Sequence, residues 1–118
     1  MNRIMLKAKI HRARVTETDL NYEGSLSLDE ELMTAADLLP YEKVHVYNVS
    51  NGERFSTYLI KGERGSGKVG VFGAAARRAR VGDRLIIVSY VTLEEEETEF
   101  FVPKILIVGA DNKISQIK

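Results

Sequence analysis

The chain has 118 residues, with 17 Lys and Arg against 17 Asp and Glu, so its formal net charge is zero. This length predicts a single domain over residues 1–118, with a core small enough that self-association would add useful buried surface. The absence of Cys excludes disulfides, thiolate nucleophiles and iron–sulfur clusters. The balanced charge argues against general nucleic-acid affinity, and no apolar stretch is long enough to cross a membrane. The N-terminus lacks the apolar region of a signal peptide, so we expect a cytoplasmic protein.

The first predicted element is an extended segment from Ile4 to Val15. Lys7, Lys9 and His11 alternate with other residues there, which places all three on one face of a strand. Such side chains are more often simply solvated than functional, so the pattern alone assigns them no role.

A short helix is predicted next. Asp29 suits the N-cap, and the two glutamates after it suit the positive end of the helix dipole. Helical spacing relates apolar residues from Leu28 to Leu39, and Pro40 is expected to end the helix.

A β-hairpin follows. Residues Val44–Val49 alternate apolar and polar side chains, and Arg54–Ile60 form a second run rich in β-branched and aromatic residues. Asn51–Gly52 between them is a strong signal for a tight turn, because both residues tolerate positive φ.

The remaining elements are a short helix and two buried strands. Gly73–Ala79 contains strong helix formers, whereas Leu85–Val91 and Ile105–Val108 are nearly continuous apolar runs. Six or so short strands with two short helices favour a mainly β fold, best satisfied by a small barrel.

Most familiar catalytic motifs are missing. A serine hydrolase would draw its base from His11 or His45, but the chain has no Gly-x-Ser-x-Gly elbow. The glycine-rich segment Gly62–Lys68 resembles a phosphate loop only superficially, because Val69 stands where a Ser or Thr is required. Neither histidine belongs to a metal-ligand pattern, so we expect no metal.

The pair Gly24–Ser25 offers a different chemistry. A Ser hydroxyl can attack the preceding carbonyl carbon, and Gly before it admits strained backbone angles. The resulting ester can eliminate to dehydroalanine, whose hydrolysis leaves a pyruvoyl group at a new N-terminus. Any single Gly–Ser pair is nevertheless far more often an ordinary turn.

Five ordered blocks make the chain similar to the aspartate 1-decarboxylase family, the pyruvoyl-dependent enzymes that make β-alanine for pantothenate synthesis. The similarity covers essentially the whole chain. The blocks are Met5–Ala13, Val15–Ser25, Asn51–Tyr58, Glu63–Gly67 and Gly73–Ala76.

This resemblance implies that the chain cleaves itself between Gly24 and Ser25 into residues 1–24 and residues 25–118. Ser25 would become a covalent pyruvoyl group, which takes the part of an electron sink that PLP has elsewhere, so neither PLP nor a metal is expected. Thr57 would assist self-processing, and Tyr58 would protonate the carbanion.

The resemblance also implies a substrate site and an assembly. L-Aspartate would bind through cationic and hydroxyl side chains and through the backbone of the 73–75 segment, with Tyr22 close by. The family fold is a six-stranded double-psi β-barrel, assembled as a homotetramer with active sites between subunits. The implied substrate-binding residues are Lys9, His11, Arg54, Thr57, Gly73, Ala74 and Ala75.

One position departs from the family pattern. The family usually has Asn before the Gly-Ala-Ala-Ala segment, where this chain has Phe72. Phe carries no amide for a hydrogen bond, so the processing rate or the substrate affinity is expected to differ.

Two alternatives remain open on sequence grounds. The basic residues Arg77, Arg78, Arg80 and Arg84 would suit a small β-barrel that binds nucleic acid or protein. A family member that folds and assembles without processing is the other alternative.

Overall fold

The computed structural model describes residues 1–118 as a mainly β protein with short helices, as the sequence predicts. Neither α-helix is long and apolar enough to span a membrane. The helices are α1 (Glu30–Ala36) and α2 (Glu95–Thr98), with 3₁₀ turns at Gly73–Arg78 and Ala110–Asn112. The strands are β1 (Asn2–Arg14), β2 (Glu17–Asp19), β3 (Ser25–Asp29), β4 (Lys43–Asn48), β5 (Arg54–Gly62), β6 (Val69–Phe72), β7 (Arg84–Glu94), β8 (Lys104–Val108) and β9 (Ile114–Ile117).

The nine strands are hydrogen-bonded in the order β2-β6-β3-β5-β4-β7-β1-β8-β9. The pairs β2–β6, β3–β5 and β1–β8 are parallel, and the other neighbours are antiparallel. Twenty buried hydrophobic residues form one core cluster, to which β1, β3, β4 and β7 all contribute. A cavity lies where β3 begins between β5 and β6.

The predicted hairpin is confirmed. β4 and β5 pair antiparallel from Lys43 opposite Tyr58 to Tyr47 opposite Arg54. Gly52 in the connecting loop has φ of +78°, the left-handed conformation that its sequence position predicts.

The predicted helix after Asp29 is also present, with different ends. Asp29 caps α1 through its carboxylate, but Leu28 belongs to β3 and not to the helix. The helix already ends at Ala36, because Asp37 adopts a left-handed conformation whose N–H caps the last turn. Pro40 therefore lies beyond a helix that has already stopped.

The second predicted helix, Gly73–Ala79, is a 3₁₀ turn that ends at Arg78. It starts directly from β6, and Gly73 turns the chain with φ of +70°. This abrupt turn lays the segment across the beginning of β3, beside the Gly24–Ser25 pair.

Candidate active site

A cavity of about 410 Å³ brings together the Gly–Ser pair and most of the residues implied in its chemistry. Strand β5, the end of β6 and the following 3₁₀ turn form its walls. The lining residues are Gly24, Ser25, Phe55, Ser56, Thr57, Tyr58, Phe72, Ala74, Ala75 and Arg78.

The sheet register explains why the cavity lies here. Ser25 is the first residue of β3 and pairs with Phe72 of β6 on one side. On the other side, β3 runs parallel to β5 from Leu26 opposite Leu59, so the same register places Ser25 beside Tyr58. The chain before Ser25 leaves the sheet, which opens a gap between β5 and β6.

Thr57 and Tyr58 both line this gap, although successive strand residues point to opposite faces. Strand β3 pairs with β5 only from Leu59 onward, so the edge of β5 is free at the two preceding residues. The gap is therefore reached from both faces of β5. Thr57 is half-buried, whereas Tyr58 is 41% exposed.

Ser25 is almost completely buried, with 2% of its surface exposed. Its hydroxyl donates a weak hydrogen bond to the carbonyl oxygen of Glu23 at 3.4 Å, so it is turned back toward the chain that precedes it. This orientation places the hydroxyl on the side of the segment that ends at Gly24.

Three cavity residues were missed at the sequence level. Phe55 and Ser56 lie in the middle of an ordinary-looking strand, and Arg78 belongs to a basic cluster that suggested a binding surface. Arg78 instead forms a salt bridge with Glu53 while it lines the cavity. A strand and a turn that meet only in the folded chain leave no local sequence signal.

Arg54 lies next to the cavity and not inside it. Its guanidinium stacks over the ring of Tyr47 at 4.1 Å, and no carboxylate pairs with it. A second cavity of about 360 Å³ surrounds it and shares Phe55 and Ser56 with the first. Arg54 is thus a free cation at the margin of the site.

Lys9 does not line the cavity of its own chain. Cross-strand pairing runs from Lys9 through Val88 and His45 to Ser56, across β1, β7, β4 and β5. Three strand spacings of about 4.8 Å separate the ends of this row, so Lys9 lies about 14 Å from the β5 edge of the cavity.

His11 is equally distant, because the neighbouring row joins it to Ile86, Tyr47 and Arg54. Burial, followed by the charges of Lys9 and two other cations, lowers the pKa of His11. Its buried Nδ1 has no hydrogen-bond partner. Lys9 and His11 therefore lie on one sheet face with Arg54, but outside the cavity that holds Ser25.

Phe72 fills the position at which the family pattern has an amide. Its side chain is buried and its ring packs on that of Tyr22, with centroids 4.8 Å apart and planes inclined by 54°. The contribution of Phe72 to the cavity is therefore packing rather than hydrogen bonding.

These features define a class of protein. It is a small β protein in which a Gly–Ser peptide bond, a hydroxyl and a phenol meet in one cavity, the groups required for self-cleavage and proton transfer. No group of three or more His, Asp and Glu side chains could hold a metal ion.

Comparison with known proteins identifies the family. The family model described as "Aspartate decarboxylase" matches residues 1–115. Aspartate 1-decarboxylase of Ralstonia nicotianae is 58% identical over 118 residues, which cover 100% of this chain and 98% of the relative. The enzyme of the same name from Thermoanaerobacter pseudethanolicus is 53% identical over 113 residues, covering 96% of this chain and 97% of the relative. The chain belongs to the aspartate decarboxylase family, which confirms the resemblance found in the sequence.

Proposed function

We propose that this protein cleaves itself between Gly24 and Ser25 and then decarboxylates L-aspartate to β-alanine and CO₂, which supplies pantothenate synthesis. The family membership supports the decarboxylation. The observation that carries the self-cleavage is the shared cavity, where Gly24 and Ser25 meet Thr57 and Tyr58.

The self-cleavage balances without an added oxidant or reductant. The Ser25 hydroxyl attacks the Gly24 carbonyl carbon, the C–N bond breaks, and the nitrogen takes up the hydroxyl proton. Loss of the Ser25 Cα proton and cleavage of the Cβ–Oγ bond then release residues 1–24 with a terminal carboxylate. One water hydrolyses the remaining dehydroalanine, and ammonia leaves. Thr57 is the hydroxyl that assists the first of these steps.

The position of Ser25 suits a pyruvoyl group. Ser25 is the first residue of β3 and lines the cavity, so a new N-terminus formed there remains at the cavity wall. A pyruvoyl group at Ser25 would supply a carbonyl for the substrate amine and an electron sink for decarboxylation. Arg54 holds a substrate carboxylate, because a guanidinium binds carboxylates in a bidentate manner. The Tyr58 hydroxyl donates the proton that the substrate Cα takes up.

The complete site requires a second subunit. The backbones of Lys9 and His11 lie three strand spacings, about 14 Å, from the cavity margin within one chain, beyond the reach of their side chains to a small substrate inside the cavity. A neighbouring chain that packs on this sheet face would bring its own Lys9 and His11 to the cavity. This supports active sites between subunits, and light scattering of the purified protein tests whether the assembly is the homotetramer that the family resemblance implies.

Intact-mass measurement under denaturing conditions tests the proposal. We expect two chains in place of one. One is residues 1–24 with a free C-terminal carboxylate, and the other is residues 25–118 with a mass lower by one ammonia. The larger chain should react with a hydrazine, and the cleaved protein should release β-alanine from L-aspartate. A chain that stays intact and unreactive after long incubation contradicts the proposal.

Two serine variants provide the matched comparison. Ser25→Ala removes the nucleophile and should leave an intact, inactive chain. Ser27→Ala is the control, because Ser27 lies on the same strand and is equally buried, at 2% exposure. It should cleave at the wild-type rate.

A further inference from the structure

Two consecutive residues, Phe72 and Gly73, hold the chain on the N-terminal side of the scissile bond. Phe72 pairs with Ser25 in the β3–β6 register, and its ring packs on Tyr22. Gly73 follows directly and lies against Gly24. The segment from Tyr22 to Gly24 is therefore contacted at both of its ends by adjacent residues.

The contact at Gly73 leaves no room for a side chain. A Cβ there would lie 2.7 Å from the Gly24 nitrogen and 3.2 Å from the Tyr22 carbonyl oxygen. The backbone of Gly73 also has φ of +70°, which L-residues rarely adopt. Any other residue would push Gly24 away from its present position.

The ring of Phe72 packs on the backbone of Gly70. A Cβ on Gly70 would lie 2.6 Å from Cζ of Phe72, so the ring lies directly over the bare Gly70 backbone. Lys68 Nζ lies 5.7 Å from the ring centroid on a further side. With Gly70 beneath it and Tyr22 against it, the buried ring is supported on two sides, and Tyr22 packs directly on it.

Such restraint matters because the acyl shift depends on geometry. Attack by a hydroxyl requires it to meet the carbonyl carbon at about 3 Å with aligned orbitals, and a misplacement of about 1 Å costs about 100-fold in rate. Gly24 provides the carbonyl, and a glycine by itself does little to fix its own conformation.

We propose that Phe72 and Gly73 form a clamp that positions the Gly24 carbonyl for attack by Ser25 and thereby sets the rate of self-cleavage. This inference rests on the proposed function. Both are positioning residues in this step: Phe72 acts through Tyr22 by ring packing, and Gly73 acts through backbone contact. The clamp acts without a side-chain amide at position 72.

The first test compares two glycine variants. Gly73→Ala should slow the appearance of the 1–24 fragment by about 100-fold, measured as an intact-mass time course on the full-length chain. Gly52→Ala is the matched control. Gly52 also has a positive φ, +78°, but nothing lies within 4 Å of a Cβ placed there. The Gly52→Ala variant therefore introduces a similar backbone strain without a close contact to a neighbouring segment, and it should cleave like the wild type.

The second test keeps or removes the rings. Tyr22→Phe preserves ring packing and should cleave within about threefold of the wild type, whereas Tyr22→Ala and Phe72→Leu should be slowed at least tenfold. Rescue by the aromatic variant at position 22 separates positioning from general destabilisation, which thermal unfolding of each variant measures independently.

The outcomes distinguish the two proposals. Wild-type cleavage together with unchanged rates in Gly73→Ala, Tyr22→Ala and Phe72→Leu overturns the clamp alone. Slowing that follows the unfolding temperature of every variant, Gly52→Ala included, also overturns it. A wild-type chain that never cleaves overturns the proposed function, and the clamp with it.

Discussion

Tyr58 and Thr57 are neighbours in the chain, yet they are expected to serve different steps. Both line the cavity because β5 has a free edge there. Tyr58 is the more exposed of the two, at 41%. Thr57 is half-buried in a cavity wall shared with Gly24.

Substitution of Tyr58 by Phe should therefore separate processing from turnover. We expect normal cleavage but β-alanine formation reduced by about 100-fold or more, because only the proposed proton donor is lost. Tyr41→Phe is the control: its ring lies 6.4 Å from that of Tyr58, but it is 78% exposed and outside the cavity. An intact Tyr58→Phe chain would instead place this phenol in the self-cleavage.

The reverse result is expected at Thr57. Thr57→Val keeps the shape of the side chain and removes the hydroxyl, so cleavage should slow by about 100-fold, the typical effect of losing one stabilising donor. Thr57→Ser retains the hydroxyl and should cleave readily. Intact mass over time measures both, and equal rates in the two variants would remove Thr57 from the processing step.

Sequence reasoning identified these two residues by their place in a family block, and strand alternation alone would have set them apart. The free edge of β5 beside them depends on where β3 begins. Strand β3 begins at Ser25, which is 33 residues before Tyr58 in the chain. Long-range pairing of this kind has no local pattern to reveal it.

At the scale of elements, one carboxylate organises both a helix and a loop. Asp29 accepts a hydrogen bond from Glu31 N at 2.8 Å, which is the predicted helix cap. The same carboxylate accepts from Gly65 N at 2.8 Å and Gly67 N at 2.9 Å. The glycine-rich segment that resembles a phosphate loop thus encloses a side chain of the protein itself.

Removal of this carboxylate should destabilise the fold strongly. Asp29→Ala is expected to lower the free energy of unfolding by about 3 kcal/mol, since it leaves the cap and two loop N–H groups without their charged acceptor. Asp29→Ser keeps a helix cap and should lose about half as much. Urea unfolding measures both, and equal losses would mean that the loop bonds contribute nothing.

The strands that sequence reasoning did not find are short or lack alternation. All five residues of β3 are buried, and β2 and β9 have only three and four residues. β6 contains Gly70, which lowers strand propensity and is required here by the ring of Phe72. Strands defined mainly by their neighbours are not visible in local composition.

At the scale of the whole molecule, two carboxyl groups contribute to stability against acid. Burial would raise the pKa of Asp29, but backbone N–H donors, Gly67 first, outweigh it and lower the pKa. Burial acts in the same direction on Glu42, and hydrogen bonds from Ser89, Leu39 N and Lys7 outweigh it, so that its pKa is also lowered.

Because both pKa values are lower in the folded chain, the unfolded chain binds more protons in acid. Their stabilisation is complete above the ordinary values of 4.5 and 3.8, and it is lost as the pH falls below them. Thermal unfolding from pH 7 to pH 2 should show this loss. Glu42→Gln should be less stable than the wild type at pH 7 and approach it near pH 2, whereas parallel curves would contradict the assignment.

The sheet face that carries Lys9, His11 and Arg54 determines where two subunits would share a site. In one chain, Lys9 on β1 and Tyr58 on β5 lie at opposite ends of a row of four strands, so a site that uses both must draw them from two chains. Lys9→Ala and Tyr58→Phe should each be nearly inactive alone. When the two are co-expressed with different tags, random mixing should restore about one quarter of the wild-type sites.

The matched negative pair is Ser25→Ala with Tyr58→Phe. Both residues line the same cavity of a single chain, so no mixed oligomer contains an intact site, and co-expression should restore nothing. Recovery with the first pair alone requires that the surface carrying Lys9 faces the cavity of another copy. Equal failure of both pairs would mean that each chain forms its site alone, and the 14 Å between Lys9 and the cavity margin would then exclude Lys9 from substrate binding.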